Sequence, residues 1–504
     1  MATAQNAGDL IPTSANPHAD PPLQPFQQVI LDGRTLEGGG QLVRIAVALS
    51  AITGRPVSID YIRGKRSGKR GLKASHVAAV KLLGEISRSR VLGGHVGSES
   101  LKFEPQPLAK NDTTLLGMPR SVEDIREDAV LVPLANLSVR SEYTIRLGTP
   151  GSVFLVFQTL YPYLLYVGSQ APAECIKVTV TGGTNTSRAP SYDYASQVMA
   201  PNFARLGLPL LDITLNSRGW EWGPIELGTV CFLVHPLPIA HDNNDHPRQR
   251  TKNLGSDARA RITTPCFPRI DMMDQNCGKV TQVDLTILAS DRQLPGRSTP
   301  LRKFVEGQTR SALRKKLAIL SPQVFDSIMS EDGDSPVPIE LHTSEPTAHI
   351  NRLYILLVAH ISTGFRVGHD ALLGMDSWRR PPKRGPKLKK GQQLSPMPKL
   401  EIDIDRITNL IESCVDGFGN TLQKTVGAHM AKHANGAFGC PPWLDEHMRD
   451  QIVIFEALGN LRGHNADDSD KRPEVQEDKE NWTLHTHTAQ WVCQEILGKV
   501  PRRV

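Results

Sequence analysis

Residues 27–54 read QQVILDGRTLEGGGQLVRIAVALSAITG, and the change of rhythm inside this stretch decides the fold class. Val29, Ile30 and Leu31 form a short apolar run closing at Gly33, which predicts a strand. Apolar residues then recur at Leu42, Ile45, Ala46, Leu49 and Ile52, one face of a helix, with Gly54 as a stop signal. Between the two lies Glu37-Gly38-Gly39-Gly40-Gln41. Glycines let backbone amides approach a ligand, and the helix N-terminus favours an anion. Glu37 in the same turn repels a phosphate unless a cation bridges them, which makes it a metal-ligand candidate. Taken alone, the stretch reads first as a tight turn.

The same alternation continues outward. PVSIDYI predicts a strand and ASHVAAVKLLGEIS a second helix. A second unit runs from YTIRLGTPGSVFLVFQTLYPYLL through CIKVTVTGG to SYDYASQVMAPNFARLG. A third is spread over YILLVAHIS, DIDRITNLIESCV, LDEHMRDQIVIFEAL and TAQWVCQEILG. Alternation of this kind predicts an α+β fold with α/β-like repeats. The expected organisation is a polar N-terminus over 1–25, a large domain over 26–231 and 351–504, and an inserted small α/β domain over 232–350. Two further insertions interrupt the last part, a basic one at 378–393 and an acidic one at 464–480.

The chain of 504 residues is 39% hydrophobic and 22% charged, a balance that suits a globular protein with one large core or several smaller ones. Its net charge of +6 permits a polyanionic partner without requiring one. Seven cysteines, an odd number with no C-x-x-C pair, suggest neither a disulfide framework nor a zinc ribbon, and fit a reducing compartment. The first 25 residues have no basic segment followed by an apolar one, so no secretory signal is expected. FLVFQTLYPYLLYVG is interrupted by Gln158 and Pro162 and is too short to span a bilayer, so no membrane is expected.

Several chemistries are excluded by what is missing. No G-x-x-x-x-G-K-[ST] is present, which rules out a P-loop. Ile30 stands where nucleotidyl transferases of the lysine type place their nucleophile ahead of x-D-G. HMAKH, from His429 to His433, has metalloprotease spacing, but Met430 occupies the glutamate position and the pair reads as helix surface. HDNNDH reads as a solvated loop. IRGKRSGKRGLKASH packs Arg63, Lys65, Arg66, Lys69, Arg70 and Lys73 ahead of His76, a density suited either to phosphate contacts or to a solvated loop. WRRPPKRGPKLKK suits a nuclear localisation signal or a nonspecific RNA-binding arm. For His485 and His487 in LHTHTA, metal ligation, nucleophilic catalysis and packing all remain open.

Together, LDGRTLEGGGQLVRIAVALS, the Arg63/Arg66 loop ending at His76, LGTPGSVFLVFQ, GGTNTSRAPSYDY, LDEHMRDQ and LHTHTA resemble the RNA 3′-terminal phosphate cyclase family, in this order along the chain. The resemblance covers residues 27–230 and 350–497. It implies a large domain of three similar repeats, each with two helices on a four-stranded sheet, and a smaller inserted domain. It also implies ATP-dependent conversion of an RNA 3′-phosphate into a 2′,3′-cyclic phosphate through a histidine–AMP intermediate. The nucleophile it implies is His485, with His487 a bystander. Imidazole attacks phosphorus readily, and the phosphoramidate formed is reactive enough to pass AMP on. Thr488 is expected to cap the following helix and hold this loop.

The resemblance assigns Glu37 to a Mg²⁺ or Mn²⁺ ion. Arg44, Arg63, Arg66 and His76 match phosphate and RNA-end contacts, and Gln158, Pro190, His447, Asp450 and Gln451 match positions around ATP. The implied partner is an RNA bearing a 3′-phosphate, with no obligate protein partner, and the implied location is the nucleus, with the cytoplasm as a second location left open. The chain also departs from the family. Arg70 stands where proline is usual, Ser75 replaces a glutamine before His76, Asn185 replaces an aspartate, and 218–230 lacks three consecutive glycines. A non-catalytic branch of the family, acting in ribosomal RNA maturation, is the alternative, and that branch lacks the nucleophilic histidine.

Overall fold

The structure, a computed structural model, describes residues 27–106, 139–238, 265–270, 278–294, 296, 298–326, 335–373, 403–434, 443–461 and 483–498, with the backbone alone over 427–434. The N-terminal 1–25, most of the polar stretch before residue 265, HDNNDH, both charged insertions and the side chains of His429 and His433 lie outside these residues.

The chain is α+β and carries three four-stranded mixed sheets. The first unit runs β1 (Val29–Asp32), α1 (Gly40–Thr53), β2 (Val57–Asp60), α2 (Ala74–Ile86), β3 (Ser89–Leu92) and β4 (Leu101–Pro105). Its strand order is β1-β2-β4-β3, with β1 parallel to β2 and the remaining pairs antiparallel. The second unit runs β5 (Glu142–Arg146), α3 (Val153–Val167), β6 (Ile176–Gly182), then α4 (Tyr192–Tyr194), a π-turn and α5 (Ala200–Arg205), and closes with β7 (Leu211–Ser217) and β8 (Gly228–Val234). The order β5-β6-β8-β7 repeats that of the first sheet, parallel pair included.

The third sheet is threaded differently. It consists of β9 (Val280–Ala289), α6 (Leu301–Ala318), β10 (Ile339–Pro346), β11 (Tyr354–Ile361) and β12 (Arg366–Leu372), in the order β10-β9-β11-β12. Here the first strand in sequence is central, whereas in the other two sheets it lies at an edge. Its strands come from both sides of residue 350 because β11, buried along both faces, pairs antiparallel with β9 and with β12. The chain continues through α7 (Ile404–Ala434), α8 (Glu446–Asn460) and α9 (Leu484–Leu497).

Helix α1 is the axle of the molecule: every residue from Gln41 to Thr53 is buried, and it packs on α9, α3 and α2. Helix α3 runs unbroken through Gln158 and Pro162, which sequence reading treats as interruptions. Burial of thirteen of its fifteen residues offsets the roughly 3 kcal/mol that an interior proline costs. Phe157 stacks on Phe232 of β8 with centroids 3.8 Å apart. Tyr161 and Phe203 both meet Phe455 edge-on, and these contacts dock α8 against the second unit. Among the described residues no helix is long and apolar enough to cross a membrane.

Candidate functional site

Two parallel strands that end side by side make the site. Asp32 of β1 is in register with Asp60 of β2, so the turn holding Glu37 and the basic loop 61–73 leave the sheet from the same end. The two connections are stitched together. Arg63 donates its amide to the Gly38 carbonyl at 2.8 Å, and the Arg66 guanidinium pairs with Glu37 Oε1. The Gly39 amide donates to Glu37 Oε2 at 2.6 Å. Glu37, whose side chain is only 9% exposed, therefore lies among cations and amide hydrogens at the start of α1.

Arg44 and His76 close the inner wall. A side chain at Gly40 would lie 2.6 Å from Arg44 Nη1 and 2.7 Å from His76 Nε2, so only glycine admits both groups to the first turn of α1. Arg44 is buried; its Nη2 donates to Gln41 Oε1 at 2.8 Å, while its Nε has no partner. Burial lowers its pKa to about 10, against the opposing pull of Glu37 and Asp450. His76 Nδ1 accepts the Lys73 amide at 3.2 Å, which leaves the ring hydrogen on Nε2, facing Arg44. Burial, then Arg44, Lys73, Arg63 and Arg66, push the His76 pKa down to about 3, so the ring is a neutral donor at physiological pH. Unpartnered donors in a positive, buried wall are what an oxyanion requires.

The opposite wall is the start of α9. The helix begins at Leu484, and its cap is Thr483 rather than the expected Thr488: Thr483 Oγ1 accepts the Thr486 amide at 3.0 Å. The reason is Asp450 of α8, whose carboxylate accepts hydroxyl hydrogens from both Thr483 (2.9 Å) and Thr486 and so fixes the cap five residues earlier. Thr488 instead joins the two walls. It is buried, donates to the Leu484 carbonyl at 2.8 Å and accepts the Glu37 amide at 3.2 Å. Gln41 Nε2 reaches the Asp450 carbonyl at 3.3 Å, a second tie. His485 stands exposed in the first turn of α9, between exposed Leu484 and the buried, hydrogen-bonded Thr486; His487 is half-buried.

His447 and Pro190, two of the nucleotide candidates, adjoin a third structure. Asp445 caps α8, accepting the Met448 amide at 2.9 Å, the Tyr194 hydroxyl at 2.6 Å and the Gly368 amide at 2.9 Å. The His447 ring meets Tyr194 edge-on with centroids 6.1 Å apart, and Pro190 directly precedes Ser191, the cap of α4. His447 is exposed at its outer edge yet crowded beneath. Desolvation there opposes its charge, but Asp445, Asp370, Glu446 and Asp450 outweigh it and raise its pKa. Burial raises the pKa of Asp450, against its two threonine hydrogen bonds and the neighbouring His485 and His447. Gln158 lies on α3 with Oε1 buried and unpartnered, an acceptor without a donor. Gln451 is half-buried on α8.

Sequence reading placed Lys73 in the basic loop but missed Arg188 and Glu221 beside it. Lys73 lies close enough to Arg63, Arg66 and Arg188 for all three, after burial, to lower its pKa, while Glu221 raises it. Glu221 belongs to the stretch that lacks the expected glycines and is held by the amide (2.8 Å) and hydroxyl (2.7 Å) of Ser187. Ser75 is buried, and a side chain on Gly151 would lie 3.3 Å from its Cβ, so the first unit meets the second there. Backbone strain marks the same place. Of five described non-glycine residues with positive φ, Leu36, Tyr61 and Arg63 flank the Glu37 turn, and Arg188 is beside Lys73. Such residues cost on the order of 1–3 kcal/mol each and gather at functional sites.

Comparison with known proteins identifies the family. A family model described as RNA 3′-terminal phosphate cyclase matches residues 35–501. The RNA 3′-terminal phosphate cyclase of Koribacter versatilis is 33% identical over 212 residues, 42% of this chain and 49% of the relative. That of Caldivirga maquilingensis is 37% identical over 210 residues, 41% of this chain and 48% of the relative. The chain thus spans about half the length of the curated relatives it matches.

Proposed function

The chain belongs to the RNA 3′-terminal phosphate cyclase family, and from that premise we propose that it converts an RNA 3′-phosphate into a 2′,3′-cyclic phosphate at the expense of ATP. A ring nitrogen of His485 attacks the α-phosphorus of ATP, the bond to pyrophosphate breaks, and a histidine–AMP phosphoramidate forms. An oxygen of the RNA 3′-phosphate takes the AMP and releases the imidazole. The neighbouring 2′-hydroxyl then attacks the 3′-phosphorus and AMP departs. The observation that carries this reading is the placement of His485: an exposed side chain on a first turn locked by Asp450, tied through Thr488 to the Glu37 turn. In-line displacement depends on that kind of positioning.

Arg44, Arg63, Arg66 and Lys73 neutralise the phosphates in this reading, and His76 donates through Nε2. The orphaned Oε1 of Gln158, with His447, Pro190 and Gln451, suits a purine edge and face. Among the described residues no three His, Cys, Asp or Glu side chains gather as a metal cage. A single carboxylate, Glu37, suits a Mg²⁺ or Mn²⁺ ion bound chiefly by phosphate oxygens and water, once Arg66 yields. Such an ion would screen the triphosphate charge. The third sheet, threaded unlike the other two, is set apart from the two like repeats that precede it. One observation favours a non-catalytic role in RNA maturation: Glu221 sets a carboxylate near Lys73, where the family resemblance implies glycine.

The test is to incubate the full chain with ATP, Mg²⁺ or Mn²⁺ and RNA carrying a labelled 3′-phosphate, then add phosphatase. Phosphatase-resistant label with wild type, and none with His485→Ala, is expected. Label that stays phosphatase-sensitive under both metals would leave the RNA-maturation role.

A further inference from the structure

Beside the basic cleft, and outside the residues assigned to it above, an aromatic ring and a guanidinium are stacked in the open. Tyr61 follows β2 as Arg34 follows β1, so both leave the parallel pair at the end where the cleft lies. The Arg34 guanidinium carbon lies 3.9 Å from the Tyr61 ring centroid. Asp32 fixes the guanidinium from behind, with Nε at 3.0 Å from Oδ1 and Nη2 at 2.7 Å from Oδ2. The stack is nonetheless exposed: Tyr61 retains 50% of its surface and the Arg34 side chain 55%. A ring held in place with half its surface open presents a face to an aromatic ligand.

The backbone is adapted to hold the stack. Tyr61 has φ +55°, in the region that favours glycine, so its ring is directed outward at the expense of strain. Gly64 donates its amide to the Tyr61 carbonyl at 2.7 Å, and a side chain there would lie 2.9 Å from Arg34 Cγ. Two residues beyond Tyr61, Arg63 is bonded to Gly38 of the Glu37 turn, so ring and phosphate cations share one short loop.

We propose that the Arg34–Tyr61 stack is a nucleobase platform for the RNA strand just upstream of the end bound in the cleft. Unstacked bases in single-stranded RNA stack on aromatic faces and on guanidinium planes, with little regard to base identity. The proposal rests on the cyclase reading for its ligand. It adds that the protein grips the strand by a base as well as by its terminal phosphate.

The test is fluorescence anisotropy of the full chain with short single-stranded RNAs carrying a 3′-phosphate, each with one abasic nucleotide near the 3′ end. Tyr61→Gly removes the ring while suiting the positive φ, so the fold is kept. It is expected to weaken binding about tenfold, and Tyr61→Trp to restore it. At one nucleotide position, removing the base should weaken wild type about as much and the Tyr61→Gly protein no further. RNA binding by wild type with Tyr61→Gly unchanged, or with an equal loss on every abasic RNA, overturns the platform and leaves the cyclase reading intact. Absence of RNA binding by wild type overturns both.

Discussion

The cleft at the start of α1 and the junction around Asp445 both bury charge, and they do so in opposite ways. In the junction the carboxylates are held by donors: Asp445 takes three, and Tyr354 donates to Asp370 at 2.9 Å while its oxygen lies 2.6 Å from Ser191 Oγ. Burial raises the Asp370 pKa, and no positive-φ residue outside glycine lies in this network. In the cleft, cations outnumber carboxylates, Arg44 Nε has no partner, and four strained residues are gathered. A satisfied network holds three parts of the chain in place; an unsatisfied one is preorganised for something still to arrive.

The largest expected effect tests the junction. Asp445→Ala strands the Tyr194 hydroxyl and two amides, one of them the start of α8, and should cost about 3–5 kcal/mol in urea unfolding. A loss under about 1 kcal/mol would break the comparison at its satisfied end.

The cleft should instead reveal itself through pH. The folded-state pKa of His76 is depressed to about 3, so its stabilising contribution is complete above the unfolded value near 6.5 and is lost as pH falls below it. At pH 5 the loss attributable to this ring is on the order of 2 kcal/mol. Unfolding of wild type and His76→Gln between pH 7 and pH 5 should therefore converge. Parallel curves would contradict a buried neutral ring.

The smallest effect carries an unusual sign. Arg188 is exposed at φ +60°, so Arg188→Gly should relieve strain and raise stability by ~0.5 kcal/mol, while weakening inorganic phosphate binding a few-fold. A variant that loses stability and keeps phosphate affinity would show that the strain there serves folding.

Much of this was legible in the sequence because it is local. Apolar spacing from Leu42 to Ile52 gave α1, and the turn from Glu37 to Gln41, the loop ending at His76 and LHTHTA named the residues that the structure brings together. What escaped depends on partners far along the chain. Three threonines compete to cap α9, and Asp450, more than thirty residues earlier, selects Thr483. The pairing of β11 with β9 joins segments that composition divides at residue 350. The Arg34–Tyr61 stack needs a positive φ at a tyrosine, which no residue pattern announces.

The most direct measurement is incubation of wild type and His485→Ala with α-labelled ATP and either Mg²⁺ or Mn²⁺, without RNA. The account predicts acid-labile label on the wild type and none on the variant. No label on a folded wild type with either metal, or label that persists on His485→Ala, would contradict it.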